Sequence, residues 1–244
     1  YFDNFGTSMA APHVTGVAAQ LVDRHSFLQY NPATLSAVMM AGAITKNDAT
    51  IALPSTSSTN HLNMYGAGRI DAYKAATGDS QQALYFWGFN QTSAGYGQLD
   101  FAVGSGATRV TIVMHYNEDS ASAGAASSLV NDLDMWVDVE PFTAGGNTGE
   151  YSAQQSPRDN TEILIINSPT VGNWRIKVFP DSVVAGQTCK VGVCAIVTFG
   201  DTTPTPSYAV TTSDAYVHTN TNTSVTASYT NPSYIASAVY FDST

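Results

Sequence analysis

The sequence predicts a mainly helical N-terminal third, then an all-β sandwich of the jelly-roll kind and the opening of a further β-domain. Three observations carry this prediction. Apolar residues recur at helical spacing up to about residue 76, then at a period of two from Asp79 onward. The period-two runs are separated by spacers of Gly, Asn, Ser and Pro, as in sandwiches and jelly rolls. A short Thr/Pro stretch, residues 202–206, precedes a last alternating segment. The domains expected are 1–78, 79–200 and 201–244.

The elements follow in chain order. Residues 8–25 are rich in Ala and Val on every side, which predicts a helix buried all round, with Pro12 close enough to its start to cost little. Asn31-Pro32 is an N-cap followed by Pro at the first helical position, and Leu35, Val38 and Met39 carry the helical spacing to Ala43 or Ile44. A polar loop through residues 55–59 leads to Tyr65-Gly66-Ala67-Gly68 and a short helix over 70–76, ended by Thr77-Gly78. Strands are expected at 83–89, 97–103, 109–115, 133–139, 163–167, 174–179 and 188–199, with long spacers at 121–128 and 141–160. Residues 208–241 alternate again.

Composition narrows the function classes. With 43% hydrophobic residues and only 11% charged, the chain can bury a core, so disorder is excluded. Nineteen acidic residues against nine basic ones give a net charge of -10, which leaves no basic footprint for nucleic acid. An acidic surface does suit solubility, salt and calcium. No apolar run reaches the roughly 20 residues of a membrane span; the nearest, residues 9–22, is broken by His13, Thr15 and Gln20. Cys189 and Cys194 lie five apart in one predicted strand and so point to opposite faces, favouring free buried thiols over a disulfide. The sequence opens at Tyr1 inside a motif and stops at Thr244 inside a strand-like run, and reads as a fragment of a longer protein.

That opening motif is Gly6-Thr7-Ser8-Met9-Ala10-Ala11-Pro12-His13-Val14, continued by Gly16-Val17-Ala18. Its chemistry is that of a nucleophile at a helix start, where unpaired amides and the helix dipole favour developing negative charge. A glycine just before the serine lets a substrate backbone approach closely. The motif resembles the serine signature of the subtilisin family of serine proteases, which implies that residues 1–78 are the C-terminal helical part of an α/β catalytic domain. The resemblance implies Ser8 as the catalytic nucleophile, its own N–H donating to the oxyanion, with Gly6 and Thr7 supporting the turn. Tyr65-Gly66-Ala67-Gly68-Arg69-Ile70-Asp71-Ala72 resembles the stretch that closes such catalytic domains.

In that family the triad runs Asp, His, Ser along the chain. Only seven residues precede Ser8; they include Asp3 but no His, so the base, its carboxylate and the oxyanion Asn are expected outside this sequence. His13 lies on the nucleophile's own helix and is structural in the family. His25, His61, His115 and His218 follow Ser8 and fall on the wrong side of it.

A third resemblance covers the β-module. Leu129-Val130-Asn131-Asp132-Leu133-Asp134-Met135, then Asp159-Asn160-Thr161-Glu162-Ile163, then Gly172-Asn173-Trp174-Arg175-Ile176, resemble the C-terminal jelly roll of certain bacterial alkaline subtilases. Thr161 stands where those carry an apolar residue. In the family this module can bind calcium. Asp132 and Asp134 lie two apart on a strand, hence on one face; they suit either a calcium ion or solvated strand-edge charges.

The function implied is a secreted, monomeric serine endopeptidase acting on proteins or peptides through an acyl-enzyme, with no catalytic cofactor. This fragment would be inactive alone. The alternative is a secreted β-sandwich binding or adhesion protein with a degenerate protease domain. Trp87, Trp136 and Trp174 would be its stacking residues, although Trp136 and Trp174 sit in apolar strands and read as core.

Overall fold

The computed structural model describes residues 6–43, 66–76, 82–125, 129–153, 155 and 157–200, and the backbone alone of 209–212 and 225–228. The expected loop at 55–59, the Thr77-Gly78 stop and the 202–206 linker lie outside the described residues. The chain divides into two units, Tyr1–Gly200 and Asp201–Thr244.

Among the described residues of the first unit the helical segments are α1 (Thr7–Arg24), a 3₁₀ turn (Ser26–Tyr30), α2 (Pro32–Ala41) and α3 (Ala72–Ala76). Eight strands follow: β1 (Gln82–Gln91), β2 (Gly97–Val103), β3 (Ala107–Asn117), β4 (Asp132–Val139), β5 (Tyr151–Ser152), β6 (Thr161–Asn167), β7 (Gly172–Ser182) and β8 (Cys189–Phe199). They form two antiparallel sheets, ordered β1-β8-β3-β6 and β2-β7-β4-β5. In the second unit β9 (Ala209–Thr212) pairs antiparallel with β10 (Val225–Ser228).

The period of two decides which side chains meet between the sheets. Val110, Ile112, Met114 and Tyr116 of β3 and Val191, Val193, Ala195 and Val197 of β8 face inward. Leu133, Met135 and Val137 of β4 and Trp174, Ile176 and Val178 of β7 meet them from the second sheet. Trp174 is packed face to face with Tyr151, centroids 5.5 Å apart, and its Nε1 donates to Thr170 O at 2.9 Å.

The first sheet is buried on its other face as well. Val113, Ile163, Cys194 and Ile196 point outward into a second core with Leu21, Leu28, Ala37, Val38, Ala41 and Ala75. Burying a Leu or Val this fully stabilises by about 1.5–3 kcal/mol each. Ala33, Ala37 and Ala41 recur every four residues on α2, a small-residue stripe that brings the helix close to the sheet. At Gly192 a Cβ would lie 2.2 Å from Thr34 N, so only glycine admits α2 at this distance. Because both faces of β8 are covered, its sequence is a continuous apolar run rather than an alternation.

Several expectations need correction. α1 is not buried all round: residues 6–16 are exposed and Leu21 is its one fully buried residue. It packs on the 3₁₀ turn, α2 and α3, its core residues Val17, Leu21 and Val22 all lie in its C-terminal half, and among the described residues nothing covers its first turns. α2 ends at Ala41, short of the expected Ala43 or Ile44. Asn31 does not cap α2 with its side chain; its Nδ2 instead donates to Phe27 O at 2.7 Å. α3 starts at Ala72 because Asp71 Oδ1 accepts from the amides of Tyr73 and Lys74, both at 3.0 Å. Trp136 is not inner core: with Leu133, Met135 and Val137 facing in, it faces out. The two-residue β5 lies inside a stretch read as spacer. Cys189 and Cys194 are free, buried and on opposite faces of β8, one in each core.

Candidate active site

Gly6 precedes α1 at φ 138° and ψ 169°, a conformation that side chains rarely tolerate. Its carbonyl accepts from Met9 N at 3.0 Å and Ala10 N at 3.2 Å, starting the helix. Ser8 is thereby the second helical residue, exposed at the positive end of the helix dipole. The first amides of a helix have no partner within it, and no acidic side chain in the first turn competes for them. This geometry can receive an anion or a developing oxyanion beside a hydroxyl.

No described histidine bonds to Ser8. His13 Nδ1 lies 2.8 Å from Met9 O, so the ring is tied to its own helix. His25 meets Phe86 edge-on, with its Nε2 buried and unpartnered. His115 Nδ1 is 2.7 Å from Thr161 Oγ1, and burial pushes its pKa down, favouring the neutral ring. Thr161 stands at the point of departure from the motif, and this bond gives the polar residue a local partner. His61 and His218 lie outside the described residues. An apolar cavity of about 310 Å³ separates α1 from the Gly66–Gly68 turn, lined among others by Val14, Met39, Met40, Ile70 and His115.

The β-module motifs build structure around one buried residue. Asn131 is almost fully buried; its amide, its Nδ2 and the Val130 amide donate to Glu118 Oε1 at 2.9–3.2 Å. Its Nδ2 also donates to Gln187 Oε1, its Oδ1 accepts from Val184 N, and its carbonyl accepts from the Tyr116 hydroxyl. Glu162 is buried and accepts from Met135 N at 2.7 Å, satisfying β4 where the short β5 leaves it unpaired.

Asp132 and Asp134 sit on the outer face of β4, near the register shift where Asp132 opposes Ser182 and Leu133 opposes Pro180. Burial raises the Asp134 pKa to about 6, helped by the charges of Asp132 and Asp181. Asp132 is raised by burial, Asp181 and Glu118. Asp132 Oδ1 and Glu118 Oε2 are buried without hydrogen-bond partners. Among the described residues no group of three or more His, Cys, Asp or Glu side chains is arranged to hold a metal ion. A cation at Asp132 and Asp134 would therefore draw most of its ligands from backbone oxygens or water.

On the same outer face Lys177 Nζ meets Asp138 Oδ2 at 2.8 Å, with both side chains buried. Thr143 donates to Asp138 through its amide and hydroxyl, and Lys177 also donates to Gly145 O, strapping the loop after β4 over the sheet. Burial pushes the Asp138 pKa up, but hydrogen bonds from Lys177 and Thr143 outweigh it and hold the carboxyl below its usual range. Arg175 makes two 2.7 Å bonds to Asp100 and lies over the Phe142 ring. Trp87 is half exposed and stacked on Phe27.

Residues 2–106 match the Subtilase family. The subtilase match covers α1, α2, α3 and the first two strands of the sandwich. It supports a subtilase-type protease domain, a serine-peptidase-like hydrolase at the family level. Solved structures that share a weak likeness to the chain include the following three. A Bacillus licheniformis lipase in its propeptide form is 13% identical over 51% of this chain and 24% of its own, at TM-score 0.31. A periplasmic inhibitor of g-type lysozyme from Aeromonas hydrophila is 13% identical over 48% of this chain and 86% of its own, at 0.29. The VP2 subviral particle of infectious bursal disease virus is 15% identical over 52% of this chain and 35% of its own, at 0.21. The chain spans about a quarter of the lipase's length.

Asn131, Glu118, Glu162 and the Asp138–Lys177 pair were not singled out from sequence as a network. The available signal was a set of polar residues inside strands whose neighbours are apolar, such as Lys177 between Ile176 and Val178.

Proposed function

We propose that this chain supplies the nucleophile of a subtilisin-like serine endopeptidase. Ser8 Oγ attacks the peptide carbonyl, the amine leaves, and water releases the acyl-enzyme. The Ser8 amide donates to the tetrahedral oxyanion, and Gly6 and Thr7 form the turn that leaves room for substrate. The base that takes the serine proton, its carboxylate and the second oxyanion donor come from residues other than those described. One observation carries the reading: the glycine-only turn at Gly6 delivers an exposed Ser8 into the first turn of α1, inside the subtilase match.

The strands of residues 79–200 are proposed as an accessory jelly roll, supported by the two four-stranded sheets ordered β1-β8-β3-β6 and β2-β7-β4-β5. Calcium at Asp132 and Asp134 belongs to the same proposal, supported by their shared face of β4, by the buried, unpartnered Asp132 Oδ1, and by the negative charge of Asp181 and Glu118 around them. Secretion, a protein or peptide substrate and a monomeric state complete it.

The test uses a fluorophosphonate probe on a protein that carries this sequence together with a full triad. Ser8 is expected to be labelled and Ser8→Ala to abolish labelling; a label that persists in the alanine variant moves the nucleophile elsewhere. The 244-residue chain alone should turn over about 10⁴–10⁶ times more slowly than that complete enzyme.

A further inference from the structure

Strand β1 is the edge of the first sheet, with β8 as its neighbour. Edge strands are ordinarily guarded against pairing with another chain by charges, proline or a bulge. The β1 sequence, QALYFWGFNQ, has no charged residue and no proline, and its register with β8 runs from Gln82 to Gln91 without a shift. Trp87, although stacked on Phe27, is half exposed on this strand. At its far end β1 carries Asn90-Gln91-Thr92, the Asn-x-Thr pattern of an N-glycan acceptor, and no other such triplet occurs among the described residues. The local structure displays the triplet. Asn90 and Thr92 are exposed, while Gln91 between them is buried and its Nε2 donates to Thr92 O at 2.8 Å, fixing the turn that follows. The Asn90 side chain makes no hydrogen bond among the described residues. It borders a groove of about 230 Å³ that Tyr30, Asn31 and Lys190 also line.

We infer that Asn90 is an acceptor for an N-linked oligosaccharide, and that the sugar shields the unguarded edge of β1. The inference rests on the secretion proposed above, which carries a chain past the transferase and its donor, a lipid-linked oligosaccharide diphosphate. In the transfer Asn90 Nδ2 bonds to the anomeric carbon of the first sugar, and the bond from that carbon to the diphosphate oxygen breaks. The lipid diphosphate leaves with the electron pair, and one amide proton passes to a base of the transferase. Folding then has to leave the sugar outside, and the exposed position of Asn90 does so. Tyr30, largely exposed beside the groove, offers a ring face to the first sugar, while Asn31 and Lys190 offer polar partners for its hydroxyls. A hydrated oligosaccharide rooted one residue from the end of β1 obstructs the addition of a foreign strand there.

The experiment secretes the 244-residue chain from a eukaryotic host behind a cleavable leader and maps its peptides by mass spectrometry, before and after peptide N-glycosidase. The peptide holding Asn90 should carry hexose-containing mass, and removal of the glycan should leave Asp at that position. Thr92→Ala should abolish the glycan and Thr92→Ser should keep it, since serine retains the hydroxyl that the triplet requires. A second triplet, Asn222-Thr223-Ser224, lies outside the described residues, so sugar found there alone overturns the inference. A bare Asn90 in the secreted chain overturns it as well. Because the leader imposes the route, that result is separate from the proposed secretion, which fails if the natural protein is not found outside its cells. Shielding is read by sedimentation: Thr92→Ala should self-associate at about tenfold lower concentration than the glycosylated wild type and Thr92→Ser. Equal self-association of all three overturns the shielding role.

Discussion

Replacing Asp134 by Asn should make the protein more stable at neutral pH. Its carboxyl has a folded pKa of about 6 against an ordinary 3.8, raised by burial and by the charges of Asp132 and Asp181. A raised carboxylate pKa means that the folded state holds a proton which the unfolded state has released. The stabilisation is complete below the unfolded value of about 3.9 and is lost as pH climbs through about 6. Two pKa units correspond to about 3 kcal/mol at full strength. The carboxyl is only half withdrawn from water, so screening reduces this to about 1–2 kcal/mol. For a unit of the size of Tyr1–Gly200, that is a rise in Tm of about 2–8 °C on Asp134→Asn. Thermal melts in chelator at about pH 7.5 and about pH 4 test this: the variant should gain at the higher pH and match wild type at the lower. A variant no more stable than wild type at about pH 7.5 refutes the crowding argument. The same melts in millimolar calcium test the proposed ligand. Calcium should raise the wild-type Tm and fail to raise that of Asp134→Asn, because a ligand that binds only the native state stabilises as its concentration exceeds Kd.

Two further perturbations test the packing. Lys177→Met leaves Asp138 buried without its ion-pair partner, with Thr143 still donating to it and Arg175 opposite it on β7, and should cost about 3–5 kcal/mol in urea denaturation, whereas a loss below about 1 kcal/mol would mean that the pair is solvated. Gly192→Ala would drive a methyl into the Ala33–Thr34 backbone and should cost about 1–3 kcal/mol or more. Amide exchange should then rise in α2 while the core between the sheets keeps its protection, and unchanged exchange in α2 would contradict the close approach.

The β-module was legible because its alternation is regular: residues 97–103 fall exactly as β2, and six further strands lie within a few residues of their expected places. β5 was not legible, since two residues carry no period and its pairing depends on Trp136 and Val137 across the sheet. Trp136 illustrates the same limit. Hydrophobicity suggested core, but the phase of β4 was fixed by Leu133, Met135 and Val137, leaving Trp136 on the outer face. Ser8 could be singled out because the motif that carries it, Gly6 to Val14, is written in consecutive residues, whereas a lone serine before a helix would read as an ordinary N-cap. The polar network around Asn131 joins Glu118, Val184 and Gln187, which are far apart in sequence, and no local pattern announces it.

The way α1 is anchored bears directly on the chemistry proposed for Ser8. Catalysis by an oxyanion-directed helix start requires the serine and the amides to be held within a fraction of an ångström. With Val17 and Val22 partly buried beside it, the C-terminal half of α1 is held against the 3₁₀ turn, α2 and α3 by one fully buried anchor, Leu21. That anchor lies more than three turns from Ser8. Between them Met9 and Val14 are each 40% exposed, and helix ends without tertiary contacts are the parts that open first. The sequence of α1 is apolar on all sides although its first turns have no cover among the described residues, which is the composition of a helix meant to be surrounded. The surface that would hold Ser8 still and the groups that would take its proton are thus called for at the same end of the same helix. Covering Met9 and Val14 would supply rigidity, exclude water from the serine and strengthen the field of the helix start, so folding and catalytic competence at this site are expected to arrive together.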